Sequence, residues 1–207
     1  ATGSASPALM KGSRESGAGR WSVIQVPTLS FYEYCELLGV ERPDIPEDLK
    51  VTALLYKSQI ERNQIMLQLS KVQNHFMRYL QVGGFPELAL ADNDLMAQQV
   101  MREDVVDKVL KRDLPSLYNI RNATELERIF LYLCNVSSEI VSIEAITKEL
   151  NGVSRTTVEN YIQFLESANL IYQSWPVDMA GKKVLKARPK IYIADAAIRN
   201  AVLMDDS

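Results

Sequence analysis

Toward the C-terminal end of the chain the apolar positions fall first into helical and then into alternating order. Leu126, Ile129, Phe130 and Leu133 recur at i, i+3, i+4 and i+7, which is one stripe of an α-helix. Asn122 and Glu125, three apart ahead of that stripe, form a capping-box pattern with Asn in place of Ser or Thr. Ile143, Ile146 and Leu150 set a shorter helix that ends at Asn151 and Gly152. Ser154 is placed to cap a third helix, with Val158, Tyr161, Ile162 and Leu165 on its buried face. "LIYQSWPV" (170–177) then reads as a strand, "DMAGKKVLKARP" (178–189) as a hairpin loop and "KIYIA" (190–194) as the returning strand. Helix, helix, turn, helix, strand, loop, strand is the order of a winged helix-turn-helix, and residues 121–207 are read as one.

The pattern upstream is helical with interruptions. "WSVIQV" (21–26) has the β-branched alternation of a strand, stopped by Pro27. Ser30 can cap a helix over "FYEYCELLG", which Gly39 ends. A mostly helical stretch is expected from about Leu49 to Leu80, broken by "VGGFPEL" (82–88), where two glycines and Pro86 disfavour helix. Another helix is expected from about Asp94 to Lys111. The resulting fold class is mainly α, with domains at 1–45, 46–120 (a helical linker bundle) and 121–207.

Composition narrows the chemistry. The 207 residues are 47% apolar, enough for a real core. The net charge of −3 and pI near 5.4 exclude a chain whose whole surface holds nucleic acid, so any DNA contact must be local. Cys35 and Cys134 each sit inside an apolar helical pattern and read as buried free thiols. His75 is the only histidine, without ligand-spaced neighbours, which argues against a zinc site or a serine–histidine triad. The sequence has no run long enough to span a membrane and no signal peptide, so a soluble, cytoplasmic protein is expected.

The outward face of the third helix offers Arg155, Thr156, Glu159, Asn160 and Gln163. Arg155, Thr156 and Asn160 can bond phosphates or base edges. The hairpin adds Lys182, Lys183, Lys186, Arg188 and Lys190, with no acid between Gly181 and Lys190. Such a cluster suits phosphate neutralisation. The same residues equally describe a solvated helix face and a basic hairpin that meets an acidic protein, and Glu159 and Glu166 would repel phosphate.

Seven strings carry a resemblance over nearly the whole chain: "TGSAS" (2–6), "GAGR" (17–20), "VPTLSFYEYCELL" (26–38), "VGGFPE" (82–87), "VLKRDLPSLYNI" (109–120), "SRTTVENYIQFLESANLIY" (154–172) and "GKKVLKARPKIYIAD" (181–195). In their order and spacing the chain resembles prokaryotic AAA-type ATPases whose nucleotide-binding core is followed by a domain of unknown function. The resemblance implies that residues 1–45 are the end of an ATPase core, with Thr2, Ser4 and Arg20 near the nucleotide. It implies ATP and magnesium for a parent protein, and a nuclease-like lobe beyond Ser207. The chain itself departs from an ATPase: it has no G-x-x-x-x-G-K-[ST], and "IYIAD" (191–195) lies after the third helix, so Asp195 reads as structural.

The expectation is therefore the middle of a longer protein, beginning without methionine, inactive toward ATP alone and without a cofactor or catalytic residue of its own. Its winged helix would bind DNA or a protein partner under nucleotide control. Self-association through an orphaned strand in residues 1–25 is a hazard. The alternatives are a stand-alone winged-helix transcription regulator, whose helices before Asn122 dimerise or sense an effector, and a pure protein-interaction module.

Overall fold

The computed structural model describes residues 24, 26–46, 48–177 and 187–203. The described chain is mainly helical and divides into two compact units, Pro27–Gln98 and the residues from Gln99 onward. That division falls inside the stretch read as a linker bundle. The strand expected over 21–26 lies largely outside the described residues; Ile24 and Val26 are exposed.

In Pro27–Gln98, α1 (Phe31–Leu37) begins at Ser30 with a complete capping box, since Ser30 and Glu33 satisfy each other's backbone amides. A 3-10 helix (Val51–Tyr56), α2 (Gln59–Ser70), α3 (Gln73–Val82), a short α4 (Pro86–Ala89) and α5 (Asp94–Val100) follow. The expected long helical stretch is thus divided, and Ser58 with Glu61 opens α2 by a second capping box. Phe31, Tyr34, Phe76 and Tyr79 form one ring cluster, with centroids 5.1 to 6.2 Å apart. Arg78 ties this cluster to the next turns: it donates to Tyr34 Oη, to the carbonyls of Ala89 and Ala91, and to Asp94 Oδ1, all within 2.9 Å. Gly84 comes so close to Leu29 that an added Cβ would lie 2.3 Å from its carbonyl oxygen. By contrast α2 buries Ile65 but leaves Ile60, Met66 and Leu67 in water.

The second unit opens with two π-helical stretches, Met101–Asp107 and Val109–Asp113, leading into α6 (Leu114–Tyr118). The width has a visible cause. Met101, Val106, Leu110 and Leu114 are buried, and their spacing of five, four and four suits more than 3.6 residues per turn. Then come α7 (Ala123–Asn135), α8 (Ile143–Glu149), α9 (Arg155–Ser167), β1 (Ile171–Ser174), β2 (Lys190–Ile193) and α10 (Ala196–Leu203). Asn122 supplies half of a capping box, its side chain accepting the Glu125 amide at 3.4 Å. The expected stripe of Leu126, Ile129, Phe130 and Leu133 is fully buried, as is Cys134. Cys35 is only half-buried, in contrast to the sequence expectation, because it sits at the rim of its helix's buried face; both thiols are free.

β1 and β2 pair antiparallel, with Ile171 opposite Ile193 and Tyr172 opposite Tyr192. On the far side of β2, residues 138–141 add a third, strand-like segment: Ser138 N donates to Ile191 O, Ile191 N to Glu139 O and Val141 N to Pro189 O. Ile171 and Ile191 close the core from the sheet side.

Two substitutions test this packing by chemical denaturation. Phe130→Ala should cost about 3–5 kcal/mol, the cost of emptying a fully buried aromatic site. Gly84→Ala should cost about 1–3 kcal/mol, because Leu29 must move to admit the methyl group.

Candidate functional site

Local chemistry sets the α8–α9 corner. Ser142 caps α8 by accepting the Ala145 amide at 3.1 Å, and Ser154 caps α9 by accepting the Thr157 amide at 3.1 Å. Gly152, at φ +97°, takes the left-handed turn between them. Val158, Tyr161, Ile162 and Leu165 point into the core as expected, which turns Thr156, Asn160 and Gln163 outward.

Arg155 stands first in α9 and is not free on that face. Its Nη1 lies 2.5 Å from Glu144 Oε1 on α8, and its Nε lies 2.8 Å from Glu159 Oε1 one turn on. The three side chains are well exposed, Arg155 at 62%. A cation in the first turn of a helix opposes the macrodipole, and no acid shares that turn, so the two carboxylates compensate a misplaced charge. The Glu144 carboxyl is held below the ordinary carboxylate range, first by its own backbone amide, then by the Arg155 guanidinium, with a weaker pull from the Arg188 charge.

Glu166, expected to repel a phosphate, is occupied differently. It accepts both the backbone amide (3.0 Å) and the side-chain amide (2.8 Å) of Gln173, and so closes the free edge of β1. Tyr118 stacks on Phe164 with centroids 3.8 Å apart and shares a 3.1 Å hydrogen bond with Ser167, anchoring the last turn of α9. Asp195 is buried and accepts the Ala197 amide at the start of α10, a structural role that matches the sequence reading.

The structure brings Arg155, Thr156 and Asn160 onto one outward helix face, and Arg188, just before β2, and Lys190, its first residue, are exposed. Lys182, Lys183 and Lys186 lie outside the described residues, as do Thr2, Ser4 and Arg20. Sequence reasoning missed Glu144 as the partner of Arg155, because eleven residues and a turn separate them. It also missed Tyr172 and Tyr192 as a surface pair, although the alternation in "IYQS" and "KIYI" marks both as outward positions. Among the described residues, no helix is long and apolar enough to cross a membrane, and no three His, Cys, Asp or Glu side chains gather to hold a metal ion.

A family model described as a domain of unknown function, DUF8612, matches residues 73–207. The chain belongs to that family. The DUF8612 match begins at α3 and covers the wide helix, α6 to α10 and the sheet. An uncharacterized protein of Haemophilus influenzae is 24% identical over 156 residues, covering 73% of this chain and 38% of its own length. The chain therefore spans less than half of that relative. No solved structure matches.

These findings overturn the resemblance to AAA-type ATPases: the family matched is one of unknown function, and the similar protein is uncharacterized. The physical reason is that strings such as "TGSAS" and "GAGR" are short runs of small residues that many loops share. ATP, magnesium and a nucleotide-sensing role for Thr2, Ser4 and Arg20 stood on that resemblance alone and are not carried forward.

Arg155→Gln should raise the Glu144 pKa without restoring it fully, because the Glu144 backbone amide still holds the carboxylate. NMR titration of the Glu144 side chain reads this directly. The sign follows from the lowered value: the wild-type pairing is complete above the ordinary carboxylate pKa and is lost as pH falls through the depressed one.

Proposed function

We propose that the unit from Gln99 onward is a winged helix-turn-helix module that holds duplex DNA, with α9 in the groove and the basic hairpin on the backbone. The supporting order is α7, the strand-like residues 138–141, α8, α9, β1, loop, β2, with α8 and α9 joined by a tight turn and α9 polar outward. The observation that carries the reading is Arg155. An arginine at the first position of a helix is poorly placed for stability, yet it is well placed to meet a phosphate or a base edge. Its partners do not prevent this: exposed ion pairs are worth about 0–1 kcal/mol, so a phosphate can replace Glu144 and Glu159 at little cost. Thr156 and Asn160 extend the same face, and Lys182, Lys183, Lys186, Arg188 and Lys190 supply the sequence's one dense run of cations.

A second reading, a protein-interaction module, is favoured by the exposed Ile60, Met66 and Leu67 of α2 and by the acids around Arg155. It differs in one measurable respect, since it requires no salt-sensitive affinity for DNA.

Binding of labelled duplex DNA at about 50 and about 200 mM salt separates the two. Counterion release should give a steep salt slope, reduced by up to about three in the Lys182→Ala, Lys183→Ala, Lys186→Ala triple variant. Arg155→Ala should weaken binding by about 1–3 kcal/mol if it reads a base. Absence of binding at the lower salt refutes the DNA reading in favour of the protein module.

A further inference from the structure

Antiparallel pairing sets Tyr172 directly opposite Tyr192, and both rings stand in water, 48% and 39% exposed, while Ile171 and Ile191 take the core side. The same alternation places Ser174 and Lys190 opposite each other on the outward side. The bridge between Ile140 and Lys190 extends that side with Ile140, also exposed. Exposed Trp175 follows β1, and exposed Arg188 precedes β2. Among the described residues of these three strands, the outward positions carry aromatic, apolar, hydroxyl and cationic side chains and no acid; alternation turns Glu139 away from the side that Ile140 occupies. Two tyrosines kept half in water forgo much of the burial that makes aromatic residues stabilising.

We propose that this outward sheet face is a stacking platform for an unpaired nucleic-acid strand, with bases on Tyr172 and Tyr192 and phosphates on Lys190 and Arg188. Every base presents a flat π-face to an aromatic ring, and cations beside the rings follow the backbone between bases. Paired bases in a duplex are covered above and below by their neighbours, so the platform selects single strands. An acidic polypeptide would complement the two cations but offers no flat partner to both rings. The platform shares Arg188 and Lys190 with the hairpin of the duplex reading but shares no residue with the outward face of α9, and Tyr172 and Tyr192 belong to it alone, so substitutions of the two rings tell the readings apart.

The test uses the full chain and a labelled oligothymidylate of about 15 nucleotides at about 50 mM salt, beside a duplex of equal length. Tyr172→Val and Tyr192→Val remove the rings yet suit a strand, and each is expected to weaken single-strand binding about tenfold with unchanged melting and unchanged duplex affinity. Tyr172→Phe and Tyr192→Phe are expected to bind like the parent. The inference is overturned if the folded chain does not bind the oligothymidylate, or if the Val variants bind it as tightly as the parent. A loss in the Phe variants equal to that in the Val variants also overturns it, as does equal competition by the base-free polyanion polyglutamate, which would point to an acidic protein instead. Duplex binding without single-strand binding sinks this inference alone and leaves the duplex reading standing.

Discussion

The unit from Gln99 onward depends on keeping water away from α7. A thirteen-residue helix is marginal by itself, so its order comes from burial of Leu126, Ile129, Phe130 and Leu133 against the elements around it. Those elements are the wide helix before it, α9, β2 and α10. Cys134 records how dry the site is: burial pushes its thiol up to about 12, which keeps it protonated and unreactive at neutral pH. Because α7 fills the centre, α9 has one face to bury and one to present, and the sheet likewise has an inner and an outer side.

What those outer faces carry is a matter of electrostatics more than of shape. Arg155 stands where the helix field opposes it, and Glu144 and Glu159 make the position tolerable at low cost. On the sheet, Glu166 is turned to the edge of β1, which removes an acid from the surface and protects the strand from unwanted pairing. The net charge of −3 thus coexists with locally cationic surface, because Asp195 is engaged in capping, Glu166 in edge closure, and Glu144 and Glu159 in ion pairs.

Much of this was legible in the residues. The caps at Ser30 and Ser154, the α7 stripe, the buried face of α9 and both strands follow from side-chain periodicity and hydrogen-bonding capacity alone. Other parts were not. The π-helical run hides in a spacing of five, four and four that resembles an irregular α-helix. Residues 138–141 are too short to alternate visibly, and they pair only because β2 supplies partners from some fifty residues away. α10 was overlooked although Asp195 caps it and Ala197, Ile198, Ala201 and Val202 mark its buried side. The pairing of Arg155 with Glu159 follows from i, i+4 spacing, whereas that with Glu144 arises only when the turn at Gly152 brings two helices together. The ATPase resemblance misled because its strings are either short runs of small residues, as in "TGSAS" and "GAGR", or stretches of amphipathic helix such as 26–38 and 154–172, whose periodicity dictates a helix but not a family.

The most direct test of the DNA reading is an amide NMR spectrum of the full chain titrated with duplex DNA at low salt. The expected result is a set of shifted amides confined to the start and outward face of α9, with Arg155, Thr156, Asn160 and Gln163 among them, and to the Arg188–Lys190 end of the hairpin. Shifts confined to α2 and its neighbours, or no shifts at all, would contradict the reading of α9 as a DNA-contacting helix.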